Sequence, residues 1–231
     1  MNLFYANPED VSPSYICLRG QEAKHAGKVL RHRVGDSIYI TDGNGIRYQC
    51  NITKLNNDSV DAKVIQSTFE VKTSPEVTLL LGLVKKRDRL EFAIEKCVEL
   101  GADRIVLYPG DHSEKERVRL DRVEAAAKSA MKQSLRYYLP EVTLEKSLES
   151  ALNSFIENRT LIAADETTSG NEDVKPGEDG FLLIVGPEGG FSKAEREIMQ
   201  KRGVVAYSLG SKRLRTETAA ITMVDRFKNV L

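Results

Sequence analysis

Polar and apolar residues alternate over much of the first third of the chain. Ser37–Thr41 alternates, and Asp42-Gly43-Asn44-Gly45 supplies a turn. Ile46, Tyr48, Cys50 and Ile52 resume the alternation, Asn56-Asn57-Asp58 turns again, and Val60, Ala62 and Val64 follow. The pattern predicts a meander of short strands, as in a small barrel, interrupted by one helix around Gln21–Arg31. Thr73-Ser74-Pro75 reads as a linker, which divides the chain into domains 1–72 and 73–231.

Beyond residue 76 the period changes. Val77–Val84 is a nearly continuous apolar run, suited to a strand buried on both faces. A helix follows with Leu90, Ala93, Ile94 and Cys97 on one face, and Gly101 stops it. The pattern then predicts a strand over Arg104–Tyr108, a helix over Val118–Leu135 and a strand over Val142–Leu144. A helix over Leu148–Ile156 and a strand over Thr160–Ala164 come next. Thr167–Gly180 is a polar, acid-rich loop. A strand over Phe181–Val185, a helix over Lys193–Gln200, a strand over Val204–Ser208 and a helix over Thr218–Val230 complete the chain. Strands alternating with helices imply an α/β domain with a mainly parallel sheet.

Composition narrows the function classes. The 231 residues are 41% hydrophobic and 29% charged, as in globular proteins. The absence of a long apolar run argues against a membrane span. The start, MNLFYANPED, lacks the pattern of a signal peptide, so the expected compartment is the cytoplasm. Cys17, Cys50 and Cys97 are far apart and only three histidines are present, which predicts no metal site. Net charge is zero, yet its distribution is uneven. Residues 85–136 hold 13 basic and 10 acidic residues, 141–180 hold 3 and 10, and 181–231 hold 9 and 5. A polyanion can meet the two basic stretches while the acidic one faces elsewhere.

Two segments at strand ends carry the candidate chemistry, since ligands of open α/β sheets bind outside the carboxyl ends of strands. In the first, Leu182–Val185 runs into Gly186-Pro187-Glu188-Gly189-Gly190-Phe191. Its glycines permit close backbone approach, and Ser192 with Glu195 has capping-box spacing. It does not match the dinucleotide fingerprint. In the second, Leu209-Gly210-Ser211-Lys212-Arg213-Leu214-Arg215 leads into the final helix, with Thr216 as its expected N-cap. Its three cations suit an anionic partner such as phosphate.

Together, Gly186–Phe191 and Leu209–Ala219 resemble the bacterial RsmE family, the 16S ribosomal RNA (uracil-N3) methyltransferases of the SPOUT class. The resemblance spans the chain: His25 with Val29-Leu30-Arg31 and Gly35-Asp36, Glu95-Lys96 with Glu99-Leu100-Gly101, and Gln133-Ser134 with Arg136 also look like family motifs. Ser211-Lys212 stands where many members carry Pro-Arg, so Lys212 and Arg213 are both open for the usual arginine role. The resemblance implies a PUA-like β-barrel over 1–72, then a SPOUT α/β domain over 73–231 with a C-terminal trefoil knot. It also implies a homodimer that binds S-adenosylmethionine. The substrate would be one uridine of 16S rRNA in the assembled small ribosomal subunit. Alternatives are another RNA target (transfer RNA or a ribose 2′-oxygen) and a non-catalytic RNA-binding protein.

On that reading, Ile184, Leu209 and Leu214 are apolar walls for the cofactor. Gly186, Pro187, Glu188, Gly189, Gly190, Gly210 and Thr218 complete its site. Methyl transfer needs alignment rather than a metal. The proton on uracil N3 must leave, which makes Glu217 a candidate base and Arg215 a candidate for stabilising the developing anion. Lys24, Lys28, Arg31 and Arg33 around the first helix, Arg136, and Lys212 and Arg213 are the expected RNA contacts. Lys128 and Lys132 fall in one helical row with Arg136. His25 is expected to be structural and Cys97 to lie in the core.

Overall fold

A computed structural model describes residues 2–114, 117–168, 170–171 and 173–229. The chain forms two compact units, Met1–Lys72 with Lys128–Leu139, and Thr73–Ala127 with Pro140–Leu231.

The first unit contains β1 (Leu3–Tyr5), β2 (Tyr15–Arg19), α1 (Gly20–Lys24), β3 (Ser37–Thr41), β4 (Ile46–Leu55) and β5 (Ser59–Phe69). They form one sheet in the order β1-β3-β4-β5-β2. β1 pairs in parallel with β3 and the remaining pairs are antiparallel. The register shifts between β4 and β5 at Gln49/Cys50 and Ile52/Lys54. Such irregularities add twist and bend, which curls the long hairpin into a half-barrel. The alternating apolar residues point inward: Ile38, Ile40, Cys50, Ile52, Val60 and Ala62 share one core with Phe4, Ile16 and Leu18.

The expected helix over Gln21–Arg31 is not one α-helix. α1 ends at Lys24 and continues as a wider π turn over His25–Val29. Leu30 N–H donates to His25 O at 2.9 Å, and Arg31 takes a left-handed φ of 57°. The Cβ missing from Gly27 would lie 3.2 Å from Leu55, so the turn packs closely against the end of β4.

Residues 128–139 are stitched into this unit. Lys132 Nζ donates to the Glu22 carboxylate, and Lys128 Nζ lies 4.0 Å from the centre of the Tyr5 ring. Leu139 N–H donates to Gly43 O at 2.9 Å, and Gly45 N–H to Tyr137 O at 2.8 Å. Gly45 must be glycine, because a Cβ there would lie 2.2 Å from the Tyr138 ring.

The second unit contains β6 (Val77–Gly82), α2 (Arg87–Glu99), β7 (Arg104–Tyr108), α3 (Leu120–Gln133), β8 (Glu141–Leu144) and α4 (Leu148–Phe155). It continues with β9 (Thr160–Ala164), β10 (Phe181–Val185), α5 (Lys193–Lys201), β11 (Val205–Tyr207) and α6 (Thr216–Lys228). α3 begins here and its last residues belong to the first unit. The six strands are parallel in the order β11-β9-β10-β6-β7-β8. Every residue of β6 and β10 is buried, as their apolar runs imply. Each element of the α/β pattern forms within a few residues of its expected place. The final helix starts at Thr216 rather than Thr218, with Arg215 rather than Thr216 at the N-cap. Its expected end at Val230 lies outside the described residues, as do positions 169 and 172 of the polar loop.

α6 packs on α2, β6 and β10. At its end the buried Lys228 ammonium donates to Thr73 O and Pro75 O, both at 2.9 Å, and to Asp103 Oδ2 at 2.8 Å. The same carboxylate oxygen accepts from Val77 N–H at 2.9 Å.

Candidate functional site

The loop after β10 is held from several sides. Tyr108, fully buried on β7, donates its hydroxyl to Val185 O at 3.1 Å and fixes the strand end. Burial, reinforced by the Glu195 charge, keeps that phenol well above its ordinary pKa, so it stays a donor. Pro187 then lies against two glycines. A Cβ on Gly82 would be 2.4 Å from Pro187 N, and one on Gly110 would be 3.0 Å from Pro187 Cδ. Glu188 accepts from Lys85 N–H at 3.1 and 3.2 Å. Gly190 N–H donates to Pro187 O at 2.8 Å with φ at 69°, a left-handed turn that favours glycine. Ser192 and Glu195 close a complete capping box at α5. The buried Glu195 also accepts from Asp111 N–H at 3.2 Å.

This loop, the residues after β9 and the segment from β11 to α6 surround a cavity of about 360 Å³. That volume is in the range of small-molecule sites. Val185, Phe191, Leu209 and Leu214 give it apolar surface, and Arg215 lines it from the start of α6. Asp165 and Glu166 contribute carboxylates. Arg196 pairs with Asp165, and Arg213 Nε lies 3.4 Å from Glu166 Oε2. Burial raises the Asp165 pKa. Hydrogen bonds from the Thr167 N–H and hydroxyl, and from Arg196, outweigh it and hold the carboxyl below its ordinary value.

Seven of the ten expected cofactor positions line this cavity; Ile184, Gly189 and Thr218 do not. Ile184 is fully buried in the core beside β6, because strand alternation turns it into the sheet face. Its neighbour Val185 reaches the cavity instead. Gly189 lies against His112, whose Nδ1 is 3.0 Å from Gly189 O, and a Cβ there would approach His112 Cβ to 2.6 Å. Thr218 is exposed on α6, and its carbonyl accepts from Thr222 Oγ1.

The two expected catalytic residues separate. Arg215 faces the cavity, whereas Glu217 is only 7% exposed and does not line it. Glu217 Oε1 lies 3.7 Å from Arg89 Nε on α2, and Oε2 is buried without a hydrogen-bond partner among the described residues. Asp165, Glu166 and Arg196 were not anticipated. The rule that applies to strand carboxyl ends points to Asp165 and Glu166, which directly follow β9.

Of the expected RNA contacts, Lys24, Lys28, Arg31 and Arg33 are exposed in the first unit. Lys24 Nζ is 3.2 Å from Asp58 Oδ1. Lys24, Lys28 and Arg31 were expected on one helix face with Arg33 just beyond it, and the π turn over His25–Val29 removes the regular α-helical spacing that would align those three. Lys212 and Arg213 are exposed at the cavity rim. Arg136 is partly buried in the stitched segment, whose Lys128 and Lys132 serve contacts within the unit. His25 is exposed, with its ring edge-on to Phe4 at 6.0 Å, and Cys97 is fully buried.

A family model described as an RNA methyltransferase domain matches residues 72–228, and one described as an RNA methyltransferase PUA domain matches residues 18–65. Ribosomal RNA small subunit methyltransferase E of Mycobacterium tuberculosis is 30% identical over 230 residues, covering 94% of this chain and 87% of that protein. The chain belongs to the ribosomal RNA small subunit methyltransferase E family. The Bacillus subtilis member is 28% identical over 219 residues, covering 88% of this chain and 86% of its own. Among solved structures, the family member from Neisseria gonorrhoeae bound to S-adenosyl methionine superposes with a TM-score of 0.86 at 28% identity. The match covers 97% of this chain and 95% of that one. A probable rRNA-methyltransferase from Porphyromonas gingivalis gives the same score at 32% identity and the same coverage. This family member accordingly has a PUA unit and a parallel α/β unit that carries the cavity.

Proposed function

We propose that this family member methylates N3 of one uridine of 16S rRNA in the assembled small ribosomal subunit. It acts in the cytoplasm as a homodimer, with S-adenosylmethionine as cofactor. The cavity between the ends of β9, β10 and β11, glycine-lined and faced by Arg215, carries this reading. The residues suit that cofactor. Side chains at Gly190 and Gly210 would enter open space, since no atom lies within 4 Å of a Cβ at either, and both have positive φ. Their backbones therefore leave room for a ligand where any other residue would intrude. The cavity's apolar wall suits an adenosine, and Asp165, held ionised, offers a carboxylate to a cationic ligand. When bound, S-adenosylmethionine supplies an electrophilic methyl group.

The chain's own part is orientation and charge. Arg215 cannot lose its proton and presents a fixed fork of donors, so it stabilises negative charge on the uracil ring as the N3 proton leaves. Glu217, turned towards Arg89, supports the start of α6 rather than taking that proton. Lys212 and Arg213 at the rim receive RNA phosphates, with Lys24, Lys28, Arg31, Arg33 and Arg136 contributing from the PUA unit. The chain path supports the trefoil knot expected of the SPOUT class. It passes β10, goes to the outer edge at β11, then returns through Ser208–Arg215 to an α6 packed on β6 and β10.

The test uses small subunits that lack this modification, purified protein and labelled S-adenosylmethionine, with mass mapping of the products. One 3-methyluridine in 16S rRNA is expected. Methyl groups found only in transfer RNA or on ribose 2′-oxygens would overturn the assignment.

A further inference from the structure

A second depression lies on the α/β unit, between the starts of α2 and α3. Its volume is about 510 Å³, and four exposed arginines line it: Arg87, Arg117, Arg119 and Arg122. Leu90, Val118 and Val123 form its apolar lining, and Glu91 is the one carboxylate among the described lining residues. None of the four arginines lies in the three segments that surround the methyl-transfer cavity.

The local chemistry leaves this charge poorly matched. Arg87 Nη2 lies 3.1 Å from Asp88 and its Nε 3.4 Å from Glu91, while Arg119 pairs with Asp121 at 2.6 Å. These pairs are solvent-exposed and weak. Arg117 and Arg122 form no ion pair with a described carboxylate. The placement also runs against the helices. Arg87 opens α2 and Arg122 lies in the first turn of α3, where the positive end of the helix dipole disfavours cations. Asp88 and Asp121 offset only part of that. Guanidinium groups gathered at two positive helix ends, over an apolar floor, call for an anion from outside.

The location selects the anion. Both helices follow strands, β6 and β7, whose carboxyl ends lie on the sheet edge that carries the methyl-transfer cavity. The Gly186–Phe191 loop joins the two places. Glu188 accepts from Lys85 N–H just before α2, and Gly189 O meets His112 just before the Arg117–Arg122 segment. We infer that this cleft is a docking site for the phosphodiester backbone of the substrate RNA, gripping nucleotides that flank the one in the cavity. Guanidinium forks match phosphate oxygens in pairs. The inference rests on the methyltransferase reading above and adds a second RNA contact to it.

The experiment measures binding of wild type and of the Arg117→Ala/Arg122→Ala variant to purified small subunits across a salt series. Methyl transfer and melting curves are recorded on the same samples. Loss of two phosphate contacts should lower the slope of log K against log salt by about 1.4 for a single strand. KM for subunits should rise about tenfold, with kcat and S-adenosylmethionine affinity near wild type. If the alanine pair melts early, Arg117→Gln/Arg122→Gln keeps the apolar stems and is read the same way. An unchanged slope in a folded variant overturns the cleft. Polyglutamate binding that wild type shows and the variant lacks, with unchanged subunit binding, assigns the cleft to an acidic protein and also overturns it. Failure of the methyltransferase reading shows separately, as a wild type that binds subunits but transfers no methyl group.

Discussion

At Gly82 and Gly110 the missing side chains matter more than the glycines' flexibility. Neither has a positive φ, and both make room for Pro187. A Gly82→Ala change places a methyl group 2.4 Å from a backbone nitrogen, so the Gly186–Gly190 loop must shift. Overpacking of this kind costs about 1–3 kcal/mol. Because the loop forms the cavity wall, S-adenosylmethionine affinity should fall by about 10- to 100-fold. Calorimetric titration checks this, and a folded variant with wild-type affinity would refute it. Arg215 makes the opposite prediction, an effect on rate rather than binding. Arg215→Lys keeps the charge and loses the fork, so kcat should drop by about 10²–10³ while cofactor affinity holds. Single-turnover methylation at saturating subunits measures it, and a normal rate there would remove Arg215 from the catalytic step.

The elements show which parts of the structure were legible in the sequence. The parallel sheet was readable because buried strands are apolar throughout and their helices carry one apolar face, so period and length agree. The Ser192 cap was readable because a capping box is local. The break in the first helix was not, since nothing in Gln21–Arg31 alone announces that Gly27 must pack on Leu55. The direction of Glu217 was not either. Two residues on from Arg215 in a helix, it points away from the cavity, a fact of rotation about α6 that depends on where the helix begins. Asp165 belongs to this scale too, because it ties the end of β9 to α5 through Arg196. Its carboxyl is held below the ordinary 3.8. A depressed folded-state pKa contributes stability that is complete above the unfolded value and lost as pH falls through the folded one. Melting temperature should therefore fall more steeply for wild type than for Asp165→Asn as pH drops below about 4. Arg196 is partly exposed, which screens the pair and keeps the difference small. Parallel acid limbs in the two proteins would contradict the assignment.

For the whole molecule, a net charge of zero conceals an uneven distribution. The excess of acid in 141–180 cancels basic segments that lie at the cavity rim and at the α2–α3 cleft, so charge is informative only by location. The same holds for stability, where one residue joins the two ends of the α/β unit. Lys228 is nearly the last described residue, and its ammonium meets Thr73, Pro75 and Asp103 at the start of the unit. It is 7% exposed, a setting in which an ammonium persists only when paired and hydrogen-bonded. Lys228→Ala would take from the buried Asp103 carboxylate its ammonium partner, and among the described residues leave it the Val77 N–H. Removing one partner of a buried pair costs about 3–5 kcal/mol. At about 2–4 °C per kcal/mol for a protein of this size, melting should fall by roughly 6–20 °C. Lys228→Met fills the same space without the charge and should not rescue it, whereas Lys228→Met with Asp103→Asn should recover part of the loss. Cofactor affinity measured well below the melting point should stay near wild type, because Lys228 lies at the opposite end of α6 from Arg215. A single Lys228→Met variant as stable as wild type would show that packing, and not the buried pair, fastens the final helix.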